Sequence, residues 1–215
     1  MKTFAVILAG CGVYDGAEIH EAVFTLLAIE KQGAAYQCFA PDILQHHVID
    51  HFTGAVTNES RNVLTESARI TRGSIKPLSE FDPAKVDALI FPGGFGAAKN
   101  LCSWAWEGDN CRVNPEVESA VMSMFNSGKP IGAMCIAPVL LARLFQGTNL
   151  TTGQDPASGS FIEKMGNTYT STAHGEVIAD DAKKLFTTPC YMLDSTLAEI
   201  EEGTGNIVRA MLEGM

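Results

Sequence analysis

The sequence contains no Cys-x-x-Cys pair, and its six cysteines are not spaced like a disulfide framework. This absence excludes a thioredoxin-like redox motif and a zinc finger. Because unpaired cysteines are typical of reducing compartments, the sequence predicts a cytosolic protein. Three cysteines fall in or beside predicted buried strands, namely Cys11, Cys38 and Cys135, and the three without paired spacing are Cys102, Cys111 and Cys190.

Clusters of basic residues are also absent. Lys and Arg number 15 against 25 Asp and Glu, which gives a formal net charge of -10 at pH 7. A nucleic-acid backbone would repel such a chain, so a nucleic-acid partner is excluded. No apolar run reaches the length of a membrane-spanning helix, and the short apolar stretch near the N-terminus is interpreted as a strand rather than a signal peptide. We therefore expect a small-molecule substrate and no membrane partner.

The length and the hydrophobic content predict one α/β domain. The chain has 215 residues, 46% of them hydrophobic and 19% charged, which is enough for one well-packed domain and short for two. We expect this domain to span residues 1–215, with an excursion from the regular pattern at about 44–81.

Apolar strands alternate with amphipathic helices along the chain, which predicts a mostly parallel sheet with helices on both faces. In such a fold, ligands gather at the carboxyl ends of the strands. Ile19 and Val23 of the first helix and Leu197 of the last are expected to face inward. The predicted strands are Phe4–Ala9, Ala35–Phe39, Ala88–Phe91, Pro130–Met134, Thr168–Ser171, Val177–Ala179 and Leu185–Thr187, and the predicted helices are Ala17–Gln32, Glu59–Ile70, Pro115–Ser127, one from Ile136, and Ser195–Leu212.

The excursion at 44–81 contains three histidines within six residues, His46, His47 and His51. Such a group could bind a metal, but no carboxylate-plus-histidine spacing accompanies it. We interpret these residues as loop histidines and predict no metal site. The helix that follows is expected to be capped by Asn58 or Ser60.

Cys135 is the strongest candidate for a catalytic residue. It follows the predicted strand Pro130–Met134 and precedes a helix with an early proline, Pro138. A side chain on such a sharp turn is held outward, and the small residues Ala133 and Ala137 allow the backbone to bend. The N–H groups at the start of the helix are expected to favour a thiolate. Cys135 is therefore predicted to be a nucleophile rather than an inert core cysteine.

A nucleophile that attacks a carbonyl group needs donors for the oxyanion. Gly93, Gly94 and Gly96 follow a buried strand, and glycine allows backbone N–H groups to approach a substrate closely. With the N–H of Ile136 they form the predicted oxyanion and substrate-binding site. The glycines lack the spacing of a dinucleotide fingerprint or a P-loop.

Two residues compete for the role of the proton-transferring group. Glu18 lies at the start of the first helix, where a carboxyl group beside a thiolate could move protons; it could equally be an ordinary first-turn acid that complements the helix dipole. His174 is the alternative, because a Cys–His pair is a common way to activate sulfur. His20 lies two residues after Glu18 and is expected on a different face of the helix.

With these motifs in place, the chain resembles the DJ-1/PfpI superfamily, and within it the ElbB branch, which is associated with isoprenoid biosynthesis. The likeness extends over nearly the whole chain. Asn100 lies inside one of the shared segments and is a further candidate site residue. The segments that carry the resemblance are Gly10–Gly16, Glu18–Ala22, Arg61–Leu64, Ala68–Ile70, Pro92–Leu101, Met134–Pro138 and Thr188–Met192.

The resemblance implies a flavodoxin-like three-layer sandwich, similar to class I glutamine amidotransferases, and a homodimer. It also implies a glutathione-independent glyoxalase that converts glyoxal to glycolate without a metal or an organic cofactor. Cys135 then takes the position of the family nucleophile and forms a hemithioacetal, and Glu18 takes that of the supporting acid.

Other functions remain open. Proteases of the superfamily have a histidine directly after the cysteine, where this chain has Ile136, so peptide hydrolysis is not expected. An amidotransferase or amidase would need His174 within hydrogen-bond reach of Cys135. A non-enzymatic redox-sensing or protective protein would use the same cysteine in an oxidised form.

Overall fold

The computed structural model describes residues 1–215 and contains nine strands. In chain order they are β1 (Thr3–Ile7), β2 (Ala35–Ala40), β3 (Ile75–Pro77), β4 (Ala88–Phe91), β5 (Ile131–Met134), β6 (Asn149–Leu150), β7 (Thr168–Tyr169), β8 (Ile178–Asp180) and β9 (Leu185–Thr188).

Seven of these strands form one sheet in the order β3-β2-β1-β4-β5-β9-β8. All neighbouring strands in it are parallel except β8 and β9, which form an antiparallel hairpin. The strands β6 and β7 pair separately. The central strands β1, β4 and β5 are buried along almost their whole length, which explains why their sequences are continuous apolar runs.

Helices cover both faces of the sheet, so the predicted α/β fold is confirmed. No helix combines the length and apolar character that crossing a membrane requires. The helices α1 and α7 pack against each other. The helix α4 packs on β4 and β5. The helices are α1 (Ile19–Lys31), α2 (Val63–Ile70), α3 (Trp104–Glu107), α4 (Pro115–Asn126), α5 (Pro138–Leu144), α6 (Pro156–Lys164) and α7 (Leu197–Glu213).

The excursion at 44–81 differs from its prediction at the start of its helix. The helix α2 begins at Val63 because Asn62 caps it, with its Oδ1 atom accepting a hydrogen bond from the N–H of Thr65 at 3.0 Å. The predicted caps Asn58 and Ser60 lie outside the helix. The residues before Asn62 instead form a loop closed by isolated bridges, and the last part of the excursion contributes β3 to the edge of the sheet.

Two of the three histidines of this loop, His46 and His51, contact different protein groups. The ring of His46 stacks on Trp106 with centroids 3.6 Å apart. The Nδ1 atom of His51 lies 3.0 Å from the Ile49 carbonyl oxygen, and its Nε2 atom accepts a hydrogen bond from the N–H of Tyr14. These contacts give His46 and His51 structural roles in holding the loop.

Three apolar residues predicted to face inward are exposed. Ile19 and Val23 are each 43% exposed and Leu197 is 51% exposed. All three lie in the first two turns of α1 or α7, and in α1 the buried residues of these turns include Glu21 and Ala22 instead. The buried part of α7 begins at Ile200.

The start of α7 supplies a test of the fold. Thr196 and Glu199 form a capping box, in which each side chain bonds the backbone of the other residue. We expect Thr196→Ala to lower the free energy of unfolding by about 1 kcal/mol, because one helix N–H loses its acceptor. Urea denaturation followed by circular dichroism measures this change. Ser74→Ala, at an exposed residue without a side-chain hydrogen bond, is the control, and equal stability of the two variants would contradict the assignment.

Candidate active site

Cys135 occupies the turn between β5 and α5, as predicted. Its φ angle is +59°, a strained value for a residue other than glycine, and its N–H donates a hydrogen bond to the Thr188 carbonyl at 3.0 Å. The residue is 6% exposed, and its side chain forms part of the wall of a cavity of about 650 Å³. The thiol is therefore buried from bulk solvent but can be reached by a ligand in the cavity.

The order of the strands explains why distant segments meet at Cys135. The strands β1, β4, β5 and β9 are neighbours and parallel, so their carboxyl ends lie at one edge of the sheet. The start of α1 follows β1, Gly93 follows β4, Cys135 follows β5 and Tyr191 follows β9. Each segment brings one part of the site.

The carboxyl group that contacts Cys135 belongs to Glu21, not to Glu18. Glu21 is completely buried, and its carboxyl group interacts with the Cys135 side chain. Its Oε2 atom accepts a hydrogen bond from the N–H of Gly93 at 2.9 Å, and its Oε1 atom accepts one from the N–H of Tyr191 at 3.1 Å. The backbones after two strands thus fix the carboxyl group beside the sulfur.

Glu18 has a different position from the one predicted. It is the N-cap of α1, where its Oε2 atom accepts a hydrogen bond from the N–H of Glu21 at 2.7 Å. Its Oε1 atom lies 3.5 Å from Nδ1 of His20. The two side chains can meet because Glu18, as the N-cap, has an extended backbone, so the helical spacing that would place them on different faces does not apply to it. Of the two roles left open above, Glu18 therefore has that of an acid that complements the helix dipole, here as the N-cap residue.

Burial controls the electrostatics of the Glu21–Cys135 pair. Loss of solvation raises the pKa of the Glu21 carboxyl to about 7. Burial also raises the pKa of the Cys135 thiol, and the nearby Glu21 charge raises it further, whereas hydrogen bonds from the N–H groups of Gly94 and Ile136 lower it. The two N–H groups act in the expected direction, towards a thiolate, while burial and the Glu21 charge act against it.

The predicted oxyanion donors divide into two groups. The N–H groups of Gly94 and Ile136 point at the sulfur of Cys135 and can serve a substrate oxygen bound there. The N–H of Gly93 is occupied by Glu21, and that of Gly96 donates to the Gly16 carbonyl at 2.9 Å. Gly93 and Gly96 are therefore structural, since their N–H groups already have acceptors.

Close packing requires a glycine at all three positions, Gly93, Gly94 and Gly96. An added Cβ atom at Gly93 would lie 2.3 Å from Cβ of Cys135 and 2.5 Å from Oε2 of Glu21. At Gly94, which has a φ angle of +95°, it would lie 2.3 Å from the backbone nitrogen of Glu18. Any other residue at Gly93 would separate the acid from the thiol.

His174 does not lie in the wall of the Cys135 cavity. Its Nδ1 atom is 2.8 Å from Oγ of Ser195, and its Nε2 atom is 4.0 Å from Oε1 of Glu199. Both ring nitrogens therefore face α7 and the segment that leads into it. The structure does not form the Cys–His pair that an amidotransferase would need.

Asn100 also lies away from Cys135. Its side-chain nitrogen donates hydrogen bonds to the carbonyl groups of Ala9 and Asp15, and its side-chain oxygen accepts one from the N–H of His46. These bonds join the loops after β1 and β4 to the excursion. With Trp106, Asn100 lines a second cavity of about 440 Å³, which does not include Cys135.

The sequence reasoning missed Glu21 and Tyr191. The Tyr191 side chain lines the Cys135 cavity, and its hydroxyl lies 3.1 Å from Nδ1 of His20. The signal for Glu21 is its spacing, because Glu21, Thr25 and Ile29 follow one another at intervals of four residues and are all buried. A carboxylate on the apolar stripe of a helix is costly to bury without a partner, so it indicates a site.

Comparisons with known proteins agree with this geometry. The sequence profile of the DJ-1/PfpI family matches residues 13–189. A human protein named glutamine amidotransferase-like class 1 domain-containing protein 3, mitochondrial, is 47% identical over 97% of this chain and 82% of its own length. A protein from Rattus norvegicus named ES1 protein homolog, mitochondrial, is 44% identical over the same shares.

Solved structures share the whole fold. An isoprenoid biosynthesis protein with an amidotransferase-like domain, from Ehrlichia chaffeensis, superposes with a TM-score of 0.92 at 35% identity, covering 99% of this chain and 100% of its own. A glyoxalase III from Candida albicans superposes with a TM-score of 0.65 at 12% identity over 97% of each chain. The second likeness concerns the fold alone.

These relatives correct the predicted location. The cytosolic assignment is contradicted, because the curated relatives from human and rat are named as mitochondrial proteins. Unpaired cysteines indicate a reducing environment and do not tell one such compartment from another. Cysteine usage therefore predicts a reducing compartment but does not specify the cytosol.

The raised pKa of Glu21 predicts a pH-dependent stability. The unfolded chain loses this proton near the ordinary pKa of 4.5, whereas the folded chain holds it up to about pH 7. Between these values the folded state binds more protons, so Glu21 lowers stability as pH rises. We expect Glu21→Gln to gain about 3 kcal/mol relative to the native protein between pH 4.5 and pH 7.

Urea titrations at a series of pH values measure this difference. Only its change with pH is diagnostic, because the amide also alters the hydrogen bonds to Gly93 and Tyr191, by an amount that does not depend on pH. Glu118→Gln makes the same chemical change at an exposed residue of α4 and is the control. A flat difference for Glu21→Gln would show that folding does not raise the pKa of this carboxyl group.

Proposed function

This chain belongs to the DJ-1/PfpI family, in its ElbB-like branch, and we propose that it is a glutathione-independent glyoxalase that converts glyoxal to glycolate. The observation that supports the proposal most strongly is that the buried Glu21 carboxyl group lies beside Cys135, whose side chain lines a cavity. A nucleophile and a proton carrier in contact are what the reaction needs. The expected association with isoprenoid biosynthesis rests on the name of the structural relative.

The first step of the proposed reaction forms a bond between sulfur and carbon. The Cys135 thiol passes its proton to the Glu21 carboxylate, and the sulfur adds to one aldehyde carbon of glyoxal. The oxygen of that carbon gains negative charge, which the N–H groups of Gly94 and Ile136 stabilise. Glu21 then returns the proton to this oxygen, and a hemithioacetal results.

The second step moves a hydrogen between the two carbons. Glu21 removes the hydrogen of the carbon bound to sulfur as a proton, which leaves an enediol, and a proton then adds to the other carbon. The first carbon is oxidised to a thioester while the second is reduced to a primary alcohol, so no external oxidant is required. Water then cleaves the thioester and releases glycolate and the thiol.

The surroundings of Glu21 suit this work. A general base or acid is most effective when its pKa lies near the working pH, and burial raises the pKa of Glu21 to about 7. The N–H groups of Gly93 and Tyr191 hold the carboxyl group in one orientation through the cycle. No metal or organic cofactor takes part in any step of the proposal.

The proposal is tested by comparing variants of three residues. We expect Cys135→Ala to abolish glycolate formation and Glu21→Gln to lower kcat at least about 100-fold, because the amide cannot carry a proton. Glu18→Gln is the matched control: it makes the same chemical change three residues earlier and should keep most of the activity. Glycolate is measured by chromatography, and circular dichroism checks that each variant folds.

Two outcomes would overturn the assignment. Undiminished glycolate formation by Cys135→Ala would remove the nucleophile, and equal losses in Glu18→Gln and Glu21→Gln would remove the special role of Glu21. If the native protein turned glyoxal over at a negligible rate but consumed one equivalent of peroxide at Cys135, the redox-sensing function would replace the enzymatic one.

A further inference from the structure

The proposed reaction leaves one proton transfer without a donor. When Glu21 removes the hydrogen of the carbon bound to sulfur, negative charge moves to the oxygen of the other carbonyl group. The N–H groups of Gly94 and Ile136 point at the sulfur and serve the first oxygen, so they are not free for the second. An enediol forms most readily if the second oxygen receives a proton as its charge develops. A further proton donor is therefore required in the wall of the cavity.

Tyr191 is the one residue of this wall that has a hydroxyl group. Most of the wall is apolar, including Phe95 and Met192. Its other polar side chains are an indole and an amide, which hold their protons, and two carboxylates, which only accept hydrogen bonds. These four side chains belong to Trp104, Gln154, Asp155 and Asp194.

The Tyr191 hydroxyl belongs to a residue that is fixed beside the reacting groups. The backbone N–H of Tyr191 donates a hydrogen bond to Oε1 of Glu21 at 3.1 Å, next to Cys135. Loss of solvation raises the pKa of Tyr191 above its ordinary value of 10, and the charges of Glu18 and Glu21 raise it further. The hydroxyl therefore keeps its proton near neutral pH until an oxygen that gains charge can take it.

His20 contacts the same hydroxyl from outside the cavity. Its Nδ1 atom lies 3.1 Å from the Tyr191 hydroxyl oxygen, and Oε1 of Glu18 is farther from that nitrogen, at 3.5 Å. With its proton on Nε2 the ring accepts a hydrogen bond from a tyrosine, and with its proton on Nδ1 it donates one to a tyrosinate. The His20 side chain is 52% exposed, so water can move the proton between the two nitrogens. This contact therefore suits both states of Tyr191.

We infer that Tyr191 is a further catalytic residue, whose hydroxyl gives a proton to the second oxygen of the substrate, and that His20 is its positioning residue. The inference rests on the proposed function. In the first half of the hydrogen shift, Glu21 takes the proton on carbon while Tyr191 protonates the second oxygen. A hydrogen bond from Nδ1 of His20 then stabilises the tyrosinate. In the second half, Glu21 gives its proton to the second carbon and the first oxygen returns one to Tyr191. Both residues end in their starting states, and the thioester results.

Tyr191→Phe tests the hydroxyl. We expect kcat for glyoxal to fall about 100-fold, because the ring and the N–H that holds Glu21 remain but no proton can be given. Tyr14→Phe is the matched control, since it removes the hydroxyl of an exposed tyrosine outside this cavity and should keep the native kcat.

The rate at which iodoacetamide alkylates Cys135 tells a proton donor from a merely structural residue. Peptide mass spectrometry measures this rate, which should be the same in Tyr191→Phe and the native protein, because Glu21 and Cys135 keep their positions. If alkylation slowed in step with kcat, Tyr191 would act only through the position of Glu21, and the donor role would be wrong.

His20→Ala tests the positioning residue. Loss of the ring should lower kcat about tenfold, and imidazole added to the buffer should restore part of it, because the space left by a half-exposed side chain is open to solvent. Tyr191→Phe should not respond to imidazole. His174→Ala, at a histidine outside the cavity, is the control and should keep the native kcat with and without imidazole. A His20→Ala variant that imidazole left unchanged would contradict the role of His20.

Binding of an enediol analogue separates this inference from the proposed function, because it needs no turnover. Acetohydroxamate has two adjacent oxygen atoms, as the enediol has. Calorimetry should show about tenfold weaker binding to Tyr191→Phe than to the native protein or Tyr14→Phe, because one hydrogen bond is lost. This difference in a protein that makes no glycolate would refute the glyoxalase and keep the donor. Glycolate formed at the native rate by Tyr191→Phe, or equal or absent binding in both proteins, would refute the donor.

Discussion

The site depends on one contact, the meeting of the Glu21 carboxyl group and the Cys135 thiol beside Gly93. No side chain fits at Gly93, since a Cβ atom there would overlap both partners. The loop after β4 therefore leaves the two groups in contact, and the N–H of Gly93 also holds the carboxyl group in place. The backbone of Cys135 is strained at the same place, with a φ angle of +59°, as is common at functional sites.

Burial gives this contact its chemical character. Removal from water raises the pKa of both the carboxyl group and the thiol, and the charge of Glu21 raises that of the thiol further. The arrangement costs stability, since a buried carboxylate with a raised pKa opposes folding above its ordinary pKa. The fold tolerates the cost because the large buried core of the sheet and its helices carries the stability of the chain.

The sequence predicted the position of Cys135 but not that of the carboxyl group beside it, for a physical reason. The turn at Cys135 is specified locally, by an apolar strand, small residues and an early proline within nine positions. The choice between Glu18 and Glu21 depends on where α1 begins and how it is rotated, and one turn of the helix decides which carboxyl group faces the sheet. Loop contacts such as Tyr191 with Glu21 join residues 170 positions apart, and no local pattern specifies them. The fold class could be predicted because it rests on the alternation of strands and helices over the whole chain.

The reacting groups and the cavity wall come from different parts of the fold. Glu21, Gly93 and Cys135 lie at or just beyond the ends of central elements, where the packing of the sheet fixes their backbone. Phe95 and Met192 lie on connecting segments, which tolerate substitution far better than the strands do. Changes in these segments can therefore alter which molecules reach the sulfur without moving the acid or the thiol. For this reason the likeness to the glyoxalase III, at low sequence identity, concerns the architecture alone. The substrate must be inferred from the side chains that line the cavity of this chain.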